Sequence, residues 1–104
     1  MMAISWLNTE HLKNSKMKIN HTLLTEVAEQ FQTPLYIYCA EKILSNYNAY
    51  DQGFGDYPHL ICYAVKANSN LSILKLLAEA GSGFDIVSKG ELKRVLAAGG
   101  DPKK

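Results

Sequence analysis

From residue 60 onward the chain repeats one order: an apolar run, a short polar break, an amphipathic stretch, and then the same again. No other feature constrains the fold as tightly. Residues 60–65 (Leu-Ile-Cys-Tyr-Ala-Val) are continuously apolar, which is how a strand buried on both faces of a parallel sheet reads. Asn70 suits a helix N-cap, and Leu71, Leu74 and Leu77, with Ile73 alongside, mark a helix face that lasts to Ala80. Gly81 supplies a left-handed stop. Residues 83–87 (Gly-Phe-Asp-Ile-Val) read as a second strand. Ser88 and Glu91 then stand at the spacing of a capping box, and Leu92, Val95 and Leu96 continue as a helix. Gly99 and Gly100 close it before Pro102. Connections this short imply right-handed βα units and a parallel sheet.

The first half is less regular. Residues 1–20 are mixed and polar, with room for short irregular strands and no clear period. From Thr22, taken as N-cap, Leu23, Leu24, Val27, Ala28 and Phe31 recur at helical spacing, and Thr33-Pro34 ends the pattern. Residues 35–39 (Leu-Tyr-Ile-Tyr-Cys) predict a strand. A second helix follows, with Ile43, Leu44, Tyr47 and Tyr50 on one side, and the Gly- and Pro-containing residues 52–58 break it. The alternation ends at Lys103-Lys104, where another strand is due. A closed (β/α) barrel takes about 250 residues. The expectation is the opening of a larger domain.

Composition narrows the function classes. Eleven basic and ten acidic residues leave a net charge of +1, which argues against a nucleic-acid arm. No apolar stretch approaches the ~20 residues of a membrane span, and the start lacks the basic region of a signal peptide, so the cytoplasm is expected. Cys39 and Cys62 lie in apolar runs and are expected as buried free thiols. His11, His21 and His59 have no metal-ligand spacing and read as surface or turn residues, so no metal is expected.

Lys66 stands out chemically. It follows the first buried strand, at the end where parallel α/β folds place ligands. A partly desolvated amine there frees its lone pair and can condense with an aldehyde. Asp85 falls at the matching region of the next strand, where a carboxylate could orient that amine. The alternative is a lysine whose stem snorkels into solvent, with Asp85 as an ordinary ion-pair partner. Spacing alone leaves both open.

Longer stretches add a resemblance. Tyr63-Ala64-Val65-Lys66-Ala67-Asn68 resembles the cofactor-lysine motif of the pyridoxal-phosphate decarboxylases that act on diaminopimelate, ornithine and arginine. Residues 81–92 (Gly-Ser-Gly-Phe-Asp-Ile-Val-Ser-Lys-Gly-Glu-Leu) resemble the family's second signature, and the wording is nearest to its diaminopimelate branch. Pro34-Leu35-Tyr36-Ile37-Tyr38 is similar to the strand that precedes the barrel in that family. The likeness covers residues 22–102. Related racemases follow the lysine with a different stretch, containing glycine and histidine.

The resemblance implies an α/β fold. It would comprise the first two βα units of a parallel eight-stranded pyridoxal-phosphate barrel, preceded by a helix, a strand and a second helix, and incomplete as a domain. Residues 1–34 would be a leader with one helix, and residues 35–104 a partial barrel. Lys66 would be the catalytic residue that holds pyridoxal 5'-phosphate through its amine. Asp85 would lie near it as an electrostatic partner, and Ala64 would face the cofactor as a small residue. The implied reaction turns meso-diaminopimelate into L-lysine and carbon dioxide, with the cofactor ring as electron sink, in a cytoplasmic homodimer.

The family's phosphate-binding glycine turn, the acid on the ring nitrogen, the substrate-carboxylate ligands and the catalytic cysteine of the second domain match nothing in these 104 residues. Neither Cys39 nor Cys62 takes that cysteine's role. Gly99-Gly100 reads as a helix stop rather than a phosphate loop, and Lys89 stands where the family often has glycine. The expectation is an amino-terminal portion, inactive by itself, with weak or absent cofactor binding. Two other readings stay open: a non-catalytic remnant or interaction fragment, and a portion of an ornithine or arginine decarboxylase.

Overall fold

A computed structural model describes residues 21–104, so the expected irregular strands of residues 1–20, and His11 with them, lie outside the described residues. The chain divides between Cys39 and Ala40 into two compact units. In the first, helix α1 spans His21–Phe31. Thr22 therefore sits inside the first turn and does not cap it. Val27, on the apolar face, is buried. Gln32, at φ 64°, turns the backbone into the left-handed region and stops the helix one residue ahead of Thr33-Pro34.

Residues 35–39 are not a strand, contrary to their composition. Tyr36, Ile37 and Tyr38 are exposed, and no described neighbour forms a ladder with them. β-propensity expresses packing on a sheet, and without a sheet it yields only irregular chain.

The second unit runs α2 (Ala40–Phe54), β1 (Cys62–Ala64), a 3₁₀ turn (Val65–Ala67), α3 (Leu71–Glu79), β2 (Gly83–Asp85) and α4 (Lys89–Ala97). Helix α2 runs past Gln52, where a break was expected. The chain leaves the helix at Gly55, whose φ of 55° suits glycine and whose N–H donates to the Gln52 carbonyl at 3.1 Å. Both later helices begin and end as their residues dictate. The Asn70 side chain accepts the Ser72 N–H, and the Ser88 hydroxyl accepts the Glu91 N–H. Glu91 completes a reciprocal cap by accepting the Val87 N–H at 2.7 Å. At the other end of α3, Gly81 donates to Ala78 and Ser82 to Leu77, each at 3.0 Å, a Schellman pair; in α4, Gly99 and Gly100 repeat it onto Leu96 and Val95.

The strands pair in parallel, with Cys62 opposite Gly83, Tyr63 opposite Phe84 and Ala64 opposite Asp85. Both are three residues long, shorter than the apolar runs that predicted them. Side chains alternate across a sheet, so the register sorts them. Phe84 joins Val65, Ile73, Leu74, Leu77 and Val95 in the core, and Tyr63 packs against it. Cys62, Ala64, Gly83 and Asp85 share the opposite face. A Cβ on Gly83 would stand 2.7 Å from Cys62 Sγ, which confirms that the two are side by side and explains the glycine. The described residues thus cover one sheet face, not two. Cys62 is an exposed free thiol and Cys39 a half-buried one, which corrects the expectation of two buried thiols.

Candidate functional site

Lys66 lies in the 3₁₀ turn, two residues beyond Ala64, the last residue of β1. The sequence put it at the strand end; the structure adds a tight turn that changes its direction. Val65, immediately before it, is 0% exposed and anchors the turn in the core. Lys66 itself is exposed, as is Asp85. The desolvation expected around the amine is therefore not supplied by the described residues, because α3 and α4 pack on the other side of the sheet. Ala64 and Asp85 are direct register partners. Adjacent strands lie about 4.8 Å apart, so the carboxylate arises one strand over from the residue two before the lysine.

The segment after Lys66 is tied down by hydrogen bonds. The Tyr63 hydroxyl donates to the Asn68 carbonyl at 3.1 Å. Asn68 Oδ1 accepts the Asn70 N–H at 3.1 Å, and Asn70 Oδ1 accepts the Ser72 N–H at 3.0 Å. Arg94 Nη1, from α4, donates to the Ser69 carbonyl at 3.2 Å. Asn70 Nδ2 is buried with no hydrogen-bond partner among the described residues. Sequence reasoning found Asn70 as a cap. It missed Tyr63 and Arg94, because nothing local marks a tyrosine that reaches five residues ahead or an arginine that reaches 25 back.

These residues fit the aldehyde end of a pyridoxal-type cofactor. Lys66 offers a solvent-accessible amine, Ala64 and Gly83 keep the adjacent sheet face small, and Asp85 places a carboxylate there. No group of three His, Cys, Asp or Glu side chains among the described residues could hold a metal ion.

At the other end of β1, His59 is more than a turn residue. Its Nδ1 lies 2.6 Å from the Tyr57 carbonyl oxygen and its Nε2 2.9 Å from Asp51 Oδ1. Its ring stacks on Phe54, with centroids 4.9 Å apart and an interplanar angle of 21°. The Tyr57 carbonyl first, and then the Asp51 carboxylate, raise its pKa above the usual 6.5. Partial burial, aided by Asp51 and Cys62, pushes the Tyr47 phenol up in the same region.

Residues 40–104 match the pyridoxal-dependent decarboxylase family, pyridoxal binding domain. The match takes in all of the second unit, and the chain belongs to this family, whose cofactor is pyridoxal phosphate. Its relatives include the diaminopimelate decarboxylase of Vibrio cholerae, 63% identical over 81 residues, which are 78% of this chain and 19% of that protein. The Haemophilus influenzae diaminopimelate decarboxylase is 49% identical over 98 residues, 94% of this chain and 24% of the relative. Among solved structures, the Helicobacter pylori diaminopimelate decarboxylase complexed with L-lysine superposes with a TM-score of 0.72 at 48% identity, covering 76% of this chain and 20% of that one. The diaminopimelate decarboxylase from M. jannaschii in co-complex with L-lysine gives 0.70 at 41% identity, covering 73% of this chain and 19% of that one. The chain thus spans about a fifth to a quarter of the length of these relatives. Among the described residues, no helix is long and apolar enough to cross a membrane.

Proposed function

We propose that this chain is the amino-terminal, lysine-bearing part of a pyridoxal-phosphate-dependent diaminopimelate decarboxylase, which converts meso-diaminopimelate to L-lysine and carbon dioxide. One observation carries the reading. Lys66 stands exposed at the carboxyl end of β1, beside the Ala64–Asp85 register pair, within a family whose model describes a pyridoxal binding domain. Lys66 holds the cofactor through its amine. Asp85 orients that amine, and Ala64 leaves room for the ring. The bound cofactor supplies an electron sink for the decarboxylation. The two βα units form the first part of an eight-stranded barrel, residues 1–34 lead into it, and the whole enzyme works as a cytoplasmic homodimer. L-Lysine in the solved relatives supports an amino-acid ligand.

The test joins residues 1–104 to the remaining portion of the Vibrio cholerae relative and measures carbon dioxide release from meso-diaminopimelate, ornithine and arginine. Activity on diaminopimelate, abolished by Lys66→Ala, is expected. Faster release from ornithine or arginine, or full activity in Lys66→Ala, overturns the assignment.

A further inference from the structure

We propose that the Tyr63 hydroxyl is a positioning group for Lys66. The inference rests on the cofactor-lysine reading above. Lys66 occupies the middle of a three-residue 3₁₀ turn, an element whose hydrogen bonds have poorer geometry than those of an α-helix. One end of the turn is fixed by Val65 in the core. The other end opens into Asn68, at φ −163° and ψ 109°, where the backbone leaves the helical region for an extended conformation. The Tyr63 hydroxyl closes that end by donating to the Asn68 carbonyl at 3.1 Å.

The bond therefore spans the lysine. Its donor lies three residues before Lys66 and its acceptor two residues after. Tyr63 is itself placed by the sheet, opposite Phe84 and against the core, so the clamp is anchored to the rigid side of the unit. From Asn68 the restraint passes through Asn70 to the Ser72 N–H at the start of α3. An exposed lysine has four freely rotating stem bonds, and a fixed backbone origin is the restraint left to direct its amine. Tyr63 need not touch a ligand to act in this way.

Residues 1–104, joined to the remaining portion of the Vibrio cholerae relative as above, are treated with pyridoxal phosphate and borohydride. A lysine Nζ adds to the aldehyde carbon, water leaves, and hydride from borohydride reduces the carbon–nitrogen double bond to a stable secondary amine. Peptide mass mapping gives the labelling of Lys66 relative to Lys75, an exposed lysine on α3 that serves as internal control. Wild type should label Lys66 preferentially. In Tyr63→Phe the ratio should fall about fivefold, the equivalent of the ~1 kcal/mol net value of one hydrogen bond, with the circular-dichroism spectrum and Lys75 labelling unchanged. A second variant carries 3-nitrotyrosine at position 63, whose hydroxyl ionises near neutral pH and then ceases to donate. Its ratio should break across that ionisation, and the wild-type ratio should not. A ratio unmoved in both variants overturns the positioning role and leaves the cofactor-lysine reading intact. No preference for Lys66 in wild type overturns both, and the wild-type arm alone tells the two failures apart.

Discussion

A neutral imidazole has one N–H and an imidazolium has two. His59 holds both ring nitrogens against oxygen acceptors, the Tyr57 carbonyl and Asp51 Oδ1, so the folded chain favours the protonated ring. The folded pKa is raised above the unfolded value of 6.5. His59 therefore contributes stability that is fully present below about 6.5 and is lost as pH rises through the higher folded value. Urea midpoints taken from pH 6 to pH 8 should fall in wild type and stay nearly level in His59→Gln; parallel declines would count against the clasp. Sequence reading put His59 in a turn and went no further, because its partners sit eight residues back, on α2, and across a ring stack that only the folded loop brings together. Lys66 shows the opposite case. Its chemistry and its place after an apolar run were legible in the chain. Its exposure and its 3₁₀ turn were not, since both depend on which sheet face the helices cover.

At the scale of elements, local chemistry was the better guide. Asn70, Ser88, Glu91, Gly81 and Gly99 all do what their types and spacing indicate, because caps and stops are satisfied within a few residues. Removing the Ser88 hydroxyl in Ser88→Ala should cost about 1 kcal/mol, read as a lowered urea midpoint, with Glu91 left to hold the Val87 N–H. Gly100 answers to packing instead. A Cβ there would collide with Val95 Cγ1 and press on Phe84 Cε2 at 3.3 Å, and both residues belong to the core. Gly100→Ala should therefore destabilise by about 1–3 kcal/mol, more than the cap mutation, and equal midpoints would show that the core yields. Residues 35–39 mark the limit of this reasoning. A β-rich run becomes a strand only when a neighbour accepts its hydrogen bonds, and no described residue does so.

For the whole molecule, the two-stranded sheet leaves Cys62 and Asp85 exposed on one face and Lys66 in solvent beyond it. An amine in water lacks the dry, preorganised surroundings that decarboxylation requires. Residues 1–104 with added pyridoxal phosphate should release no carbon dioxide from meso-diaminopimelate above the rate of the free cofactor. Release abolished by Lys66→Ala would overturn that expectation. The amino-acid sequence by itself determined the βα alternation, the caps at Asn70 and Ser88, the lysine motif and the family, because periodicity, capping and short motifs are properties of neighbours in the chain. Only the tertiary structure decided that Ala64 stands opposite Asp85, that Tyr63 reaches over Lys66 to Asn68, and that the helices among the described residues cover one sheet face. Register, long-reach hydrogen bonds and burial each join residues far apart in sequence, and nothing in a local pattern specifies which distant residue will be the partner.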